Sequence, residues 1–211
     1  MHKQLPKFDP DYSGNFAAEI LEKLKIEGIL IGRLAVWAWL PQNSAKQAYT
    51  KDLDIAVSKT SLFVIRDYLK DQHFNIKQLE IGGVNVKDGK HINVDFIDRS
   101  SIEWSDYSVL FEQAINEAIR SNRMIEVGNK TLFLVSIEYL ITMKLATGEK
   151  KDEEDIKVLL LETDNIDFKE VRSLIYNHLG SLGRNRFEII LRDIHHKESR
   201  LTSYQGIETS E

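Results

Sequence analysis

The stretch that decides the fold is KDLDIAV, residues 51–57. Its residues alternate in polarity, and alternate side chains of a β-strand point to opposite faces of the sheet. One face is apolar and is expected to pack against helices: Leu53, Ile55 and Val57. Asp52 and Asp54 share the other face. The stretch therefore predicts a half-buried strand with two carboxylates side by side on its open face.

A second alternating stretch is HINVDFID, residues 91–98. Its apolar residues share one face, and Asp95 lies on the opposite one. If the two strands are neighbours in one sheet, Asp52, Asp54 and Asp95 converge on the same uncovered face. Each stretch taken alone also fits a solvated strand face, because short motifs of this kind are common.

Three clustered carboxylates indicate a metal site. They repel one another unless a cation lies between them, and hard oxygen ligands suit Mg²⁺ or Mn²⁺. Such ions can hold the attacking and leaving oxygens of phosphoryl or nucleotidyl transfer, while a further carboxylate helps to activate a hydroxyl group. Asp52, Asp54 and Asp95 are therefore candidate metal ligands and catalytic residues.

The remaining sequence predicts strands first and helices last. A strand is expected at Gly28–Ile31, between helices near residues 15–26 and 34–40. Asp88-Gly89 and Gly128-Asn129 mark two hairpins.

From Ser136, a good N-cap, the pattern is helical, with further helices predicted at 152–162, 167–179 and 184–197. This order predicts an α+β fold, with a core over residues 1–135 and a helical region over 136–211.

Composition excludes several classes of protein. The 211 residues include no cysteine, which rules out disulfides, cysteine nucleophiles and thiolate metal sites and fits a cytoplasmic location. The most apolar stretch, residues 29–40, is too short to cross a bilayer, so no membrane partner is expected. The formal charge of −5 argues against a protein that coats long duplex DNA.

The order of the motifs resembles that of the nucleotidyltransferase superfamily, which includes DNA polymerase beta. The family pattern is a glycine turn, then D-h-[DE]-h, then h-[DE]-h. Here these elements are Gly32-Arg33, Asp52-Leu53-Asp54-Ile55 and Val94-Asp95-Phe96. Thr50 matches the T-x-D-h-D form of bacterial members. The resemblance implies a mixed β-sheet with flanking helices, followed by a C-terminal helical extension.

A later segment, residues 135–160, looks like the "KL-x-A … KD-x-x-D-I" segment of the abortive-infection toxin branch. On that match, Lys144 and Asp155 face the nucleotide. Lys144 would neutralise charge on the triphosphate, and Asp155 would orient Lys144.

The resemblance implies a metal-dependent transfer of a nucleoside monophosphate from an NTP to a hydroxyl acceptor. Asp52 and Asp54 would hold Mg²⁺ or Mn²⁺, Asp95 would complete the metal site, and Gly32 and Arg33 would line the phosphate turn. The toxin branch makes tRNA or a protein a candidate acceptor and an antitoxin a candidate partner.

Two departures from the family pattern keep an alternative open. Arg33 replaces the small residue that follows the first glycine, so it either binds a phosphate or blocks the site. Glu149 stands where relatives often have arginine. The alternative is an inactive binding module or partner subunit with the same fold.

Overall fold

The computed structural model describes residues 9–42, 44 and 50–205. The strands are β1 Gly28–Ile31, β2 Leu53–Val57, β3 Ile76–Gln78, β4 Gly83–Lys87, β5 Asn93–Ile97, β6 Met124–Val127 and β7 Lys130–Leu134. The helices are α1 Pro10–Leu24, α2 Gly32–Trp39, α3 Lys59–Asp71, α4 Ser108–Arg120, α5 Ile137–Thr147, α6 Lys150–Glu162 and α7 Phe168–Gln205. A 3₁₀ helix, Ile102–Tyr107, precedes α4.

In the described part of the chain, the strands form one mixed sheet in the order β3-β4-β5-β2-β1-β7-β6. Strand β2 is antiparallel to β1 and parallel to β5, and β1 is parallel to β7. The helices after β7 complete the α+β architecture. The predicted fold class is therefore confirmed.

Local sequence explains where the elements begin and turn. Helix α1 starts earlier than expected because the Asp9 carboxylate accepts the N–H groups of Asp11 and Tyr12 and Pro10 suits the first helical position. Ser136 caps α5 as predicted, accepting the N–H of Tyr139.

The two predicted hairpins are the antiparallel pairs β4–β5 and β6–β7. Helix α7 is kinked at Gly180, where φ is 65° and ψ is −161°, so it consists of two helical segments, as expected from the sequence.

The two faces of the sheet differ in what lies against them: one packs against a helix, and the other borders a cavity. Helix α1 contacts β2, β5 and β7, and Leu53, Ile55 and Val57 are buried. Helices α4 and α5 contribute to a cavity over the aspartate face. The division at residue 135 stays a prediction, although α5 and α6 both contact α2. No helix within the described ranges has the length and apolar character needed to span a bilayer.

Candidate active site

Asp54 and Asp95 lie on two adjacent strands, and Asp52 directly precedes the first of them. In the register of β2 and β5, Asp54 is the Cα partner of Asp95, and Leu53 is the partner of Val94. Paired residues of neighbouring strands point to the same face. Asp52, Asp54 and Asp95 therefore share the face that borders the cavity, and the expected adjacency of the two strands is confirmed.

Crowding changes the acidity of these carboxyl groups. Burial, together with the negative charges of Asp52 and Asp95, raises the pKa of Asp54 to about 7. Burial also raises the pKa of Asp95, although a hydrogen bond from Asn85 opposes the change. The negative charges of the neighbouring carboxylates thus add to burial in disfavouring the ionised form of Asp54.

Strand β4 contributes a residue that the sequence did not reveal. Asn85 pairs with Asp95 across the β4–β5 hairpin, and its side-chain amide donates a hydrogen bond to the Asp95 carboxylate. The same amide donates to the Asn93 side-chain oxygen at 2.8 Å. This network fixes the orientation of Asp95. The register of the hairpin, which brings Asn85 and Asp95 together, is the signal that could have found Asn85.

Gly32 lies where β1 ends and α2 begins, with a left-handed φ of 69°. A Cβ at this position would overlap the Asp54 carboxylate. Glycine is therefore required by the backbone and by the close approach of Asp54. No side chain caps this end of α2, so the first-turn N–H groups have no capping partner there. Such N–H groups favour an anion.

Arg33 is directed to an acidic partner. Its Nε donates to Asp155 Oδ2 at 3.2 Å. Lys144 is buried, and its Nζ lies 2.7 Å from Asp155 Oδ2 and 2.8 Å from Asp152 Oδ1. Asp155 thus joins Arg33 to Lys144. The contact between Asp155 and Lys144 is the one expected from the sequence, and Asp152 is a further partner that the sequence analysis did not single out.

Thr50 and Glu149 have local partners. Thr50 is buried, and its hydroxyl donates to Asp52 Oδ1 at 3.1 Å, which orients that carboxylate. Glu149 is exposed and pairs with Lys151 at 3.0 Å. Thr50 therefore positions a candidate metal ligand.

All eight residues predicted for the site line one cavity of about 440 Å³: Gly32, Arg33, Thr50, Asp52, Asp54, Asp95, Lys144 and Asp155. Arg99, Trp104 and Phe111 also line it. No sequence motif identifies Arg99, because its orientation depends on the rings of Trp104 and Phe111 in the folded chain.

The donor set fits a divalent ion that is shared with a ligand. Among residues 9–42, 44 and 50–205, no group of three acidic or imidazole side chains is placed to hold a metal ion by itself. Mg²⁺ in proteins is commonly held by one or two carboxylates together with substrate phosphates and water. Burial and the charges of Asp52 and Asp95 raise the pKa of Asp54, and a bound cation would favour its ionised form.

Comparisons with known proteins were made at the levels of sequence and structure. No protein-family model and no curated protein sequence matches the chain. The antibiotic-resistance factor ANT(2'')-Ia is similar at 12% identity, with 84% of this chain and 92% of that chain covered and a TM-score of 0.46.

Two further solved structures are similar to the chain. A nucleotidyltransferase-like antigenic protein from Paracoccidioides brasiliensis has 14% identity, coverage of 87% of this chain and 92% of its own, and a TM-score of 0.49. The lincomycin-bound lincosamide adenylyltransferase LnuA has 12% identity, coverage of 72% and 98%, and a TM-score of 0.48.

The TM-scores of these neighbours are all below 0.5, so the resemblance to the nucleotidyltransferase superfamily continues to rest on the sequence motifs. Closeness to the toxin branch stays a prediction. At such identities and TM-scores the neighbours carry no argument about activity, which is argued below from the geometry of the site.

Proposed function

We propose that this protein is a metal-dependent nucleotidyltransferase that moves a nucleoside monophosphate from an NTP to a hydroxyl acceptor. The observation that carries the proposal is the pairing of Asp54 with Asp95 beside the Gly32 turn. Carboxylates for a divalent cation and backbone N–H groups for phosphate then line one cavity.

The reaction forms a bond between the acceptor oxygen and the α-phosphorus of the NTP. The bond from that phosphorus to the β-phosphate breaks, and pyrophosphate leaves. Bound Mg²⁺ or Mn²⁺ would supply neutralisation of phosphate charge. Asp52 and Asp54 would hold the ions, and Thr50 would orient the Asp52 carboxylate. Asp95, held by Asn85, would complete the site and accept the acceptor proton.

The chain Arg33–Asp155–Lys144 would hold two cationic side chains in place beside the carboxylates. Asp155 accepts from both cations, so each is held in one orientation. In the proposal, Lys144 offsets part of the triphosphate charge and Asp155 orients Lys144. Arg33 would lie at the edge of the phosphate turn while remaining paired with Asp155.

The proposal extends to the class of molecule that accepts the nucleoside monophosphate. The Lys144–Asp155 segment, which resembles the toxin branch, favours a hydroxyl group of tRNA or of a protein, and an antitoxin as partner. The NTP and Mg²⁺ would be drawn from the cytoplasm. This part rests on analogy rather than on the geometry of the cavity.

The test is an acceptor screen. Purified protein is incubated with each common NTP labelled at the α-phosphate, Mg²⁺ or Mn²⁺, and total cellular RNA or protein. We expect label on one acceptor class with wild type, loss of label with Asp95→Asn, and retention with Asp71→Asn. Asp71 is an exposed residue of α3 outside the cavity and serves as the matched control.

The alternative, an inactive binding subunit, is favoured by Arg33, which occupies the turn where relatives carry a small residue. Arg33→Ser separates the two functions. Loss or reduction of transfer with this variant supports the enzyme, because a guanidinium near phosphate would have been removed. A gain of transfer starting from an inactive wild type supports the binding subunit.

A further inference from the structure

We propose, given the nucleotidyltransferase function above, that Arg99 binds the triphosphate of the NTP. Arg99 follows β5, four residues after Asp95, and lines the cavity with the carboxylates. Its guanidinium carbon lies 4.4 Å from the ring centroid of Trp104 and 5.5 Å from that of Phe111. A guanidinium stacked in this way keeps its N–H donors at the edge of its plane, available to a ligand.

The other cationic side chains that line the cavity either form ion pairs with acidic residues or are exposed to solvent. Arg33 pairs with Asp155, and Lys144 lies between two aspartates. Lys151 pairs with Glu149, and Lys51 is exposed to solvent. Arg99 has no hydrogen bond or ion pair among the described residues. It therefore combines a fixed position with unused hydrogen-bond donors.

The backbone holds Arg99 in place. Its φ of 54° is left-handed, an uncommon conformation for a residue with a side chain. The preceding residue, Asp98, is buried, and its Oδ1 accepts the N–H of Ser100 at 3.0 Å. The Asp98 N–H in turn donates to the Gly82 carbonyl at 3.3 Å. A group fixed before binding loses less conformational freedom when the ligand arrives.

Charge explains why a polyphosphate fits this place. Burial lowers the pKa of Arg99, but arginine stays ionised in proteins, and Asp54 is its strongest charged neighbour. Asp54 also borders the Gly32 turn, so phosphates bound at that turn lie within the field of Arg99. Acidic side chains outnumber basic ones around the cavity. A triphosphate therefore needs a cation whose donors are unused, and guanidinium matches phosphate oxygens in pairs.

The test compares affinities for ligands with and without phosphates. Binding of an NTP, inorganic triphosphate and the matching nucleoside is measured by calorimetry with Mg²⁺ present. We expect Arg99→Gln to lower the affinity for NTP and for inorganic triphosphate about tenfold to a hundredfold, as for a lost charged hydrogen bond. The affinity for the nucleoside should be unchanged.

The chain offers a matched control. Arg66 also stacks on an aromatic ring, with 5.0 Å between its guanidinium carbon and the Phe63 centroid, but it lies on α3 outside the cavity. Arg66→Gln should bind all three ligands like wild type. Trp104→Leu keeps Arg99 but removes its support, and should weaken triphosphate binding as well. If Arg99→Gln does not fold, Arg99→Lys provides a second variant, because it keeps the charge and loses the paired donors of the guanidinium. Its triphosphate affinity should lie between that of wild type and that expected for Arg99→Gln.

The outcomes separate this inference from the proposed function. If wild type binds NTP and both Arg99 variants bind it equally well, Arg99 is not a triphosphate ligand, and the proposed function stands. An equal loss of NTP and nucleoside affinity also overturns the inference, because the effect would then not concern phosphate. If wild type binds no NTP with Mg²⁺ or Mn²⁺, the proposed function itself fails, and the role of Arg99 fails with it.

Discussion

The Asp54 carboxylate occupies the space that a side chain at Gly32 would need. The two positions are therefore linked: the Asp54 carboxylate can lie where it does only if residue 32 has no side chain. A substitution at the turn must displace the carboxylate, the backbone or both. This coupling has a measurable consequence.

Gly32→Ala is expected to destabilise the protein more than Gly89→Ala. Both glycines have a left-handed φ, 69° and 74°, which costs about 1–2 kcal/mol for a residue with a Cβ. A Cβ at Gly89 would meet no atom within 4 Å, whereas one at Gly32 would overlap Asp54. Urea unfolding should show an excess loss of at least about 1 kcal/mol for Gly32→Ala. Equal losses would contradict the packing of Asp54 against the turn.

Mg²⁺ or Mn²⁺ should raise the melting temperature of the wild type, because a ligand that binds only the folded state stabilises it. Asp52→Asn and Asp95→Asn should lose most of this gain, since each removes a negative ligand from the cluster. Asp71→Asn should respond like wild type. An identical metal response in all four proteins would remove the carboxylate cluster as the binding site.

Without a divalent metal, the contribution of Asp54 to the stability of the protein should fall as pH rises from about 4 to about 7. The pKa of Asp54 is 3.8 as a reference and about 7 in the folded protein, so the folded state binds this proton more tightly. The resulting stabilisation is complete below pH 3.8 and is lost as pH rises through 7. Relative to Asp54→Asn, the loss should be on the order of 2–4 kcal/mol. Parallel pH profiles for the two proteins would show that Asp54 titrates normally.

Lys144→Met should destabilise the protein by about 3 kcal/mol, the lower end for breaking a buried ion pair. In this variant, Asp155 would keep its hydrogen bond from Arg33, and Asp152 would keep its hydrogen bond from the Thr147 hydroxyl. These remaining partners limit the loss of stability. Adding Asp155→Asn to this variant should recover part of the loss in chemical denaturation, because the buried charge is removed. If Lys144→Met alone is as stable as wild type, the ion pairs of Lys144 contribute nothing to stability.

Much of the fold follows from local sequence. Alternation identifies β2 and β5, and the turn residues identify two hairpins, because these signals depend on neighbouring residues only. Asp54 and Asp95 each lie on the polar side of an alternating strand, which predicts that they share a face of the sheet if the two strands are adjacent. The register itself, which makes them direct partners, becomes visible only in the assembled sheet.

The site residues that the sequence motifs do not reveal depend on how neighbouring elements are placed in the folded chain. Asn85 is defined by its place opposite Asp95, and Arg99 by the rings of Trp104 and Phe111. The sequence is compatible with Arg33 either binding a phosphate or blocking the site. Its partner Asp155 is 122 residues away in sequence, so no local pattern could identify the pair.

The most direct test of the central claim follows the two ends of the NTP separately. Wild type is incubated with the acceptor fraction, Mg²⁺ and an NTP labelled at either the α- or the γ-phosphate. Nucleotidyl transfer predicts that the α-label becomes covalently attached to the acceptor, that the γ-label is released as pyrophosphate, and that Asp95→Asn abolishes both. Attachment of the γ-label to the acceptor, or transfer that survives Asp95→Asn unchanged, would contradict the account.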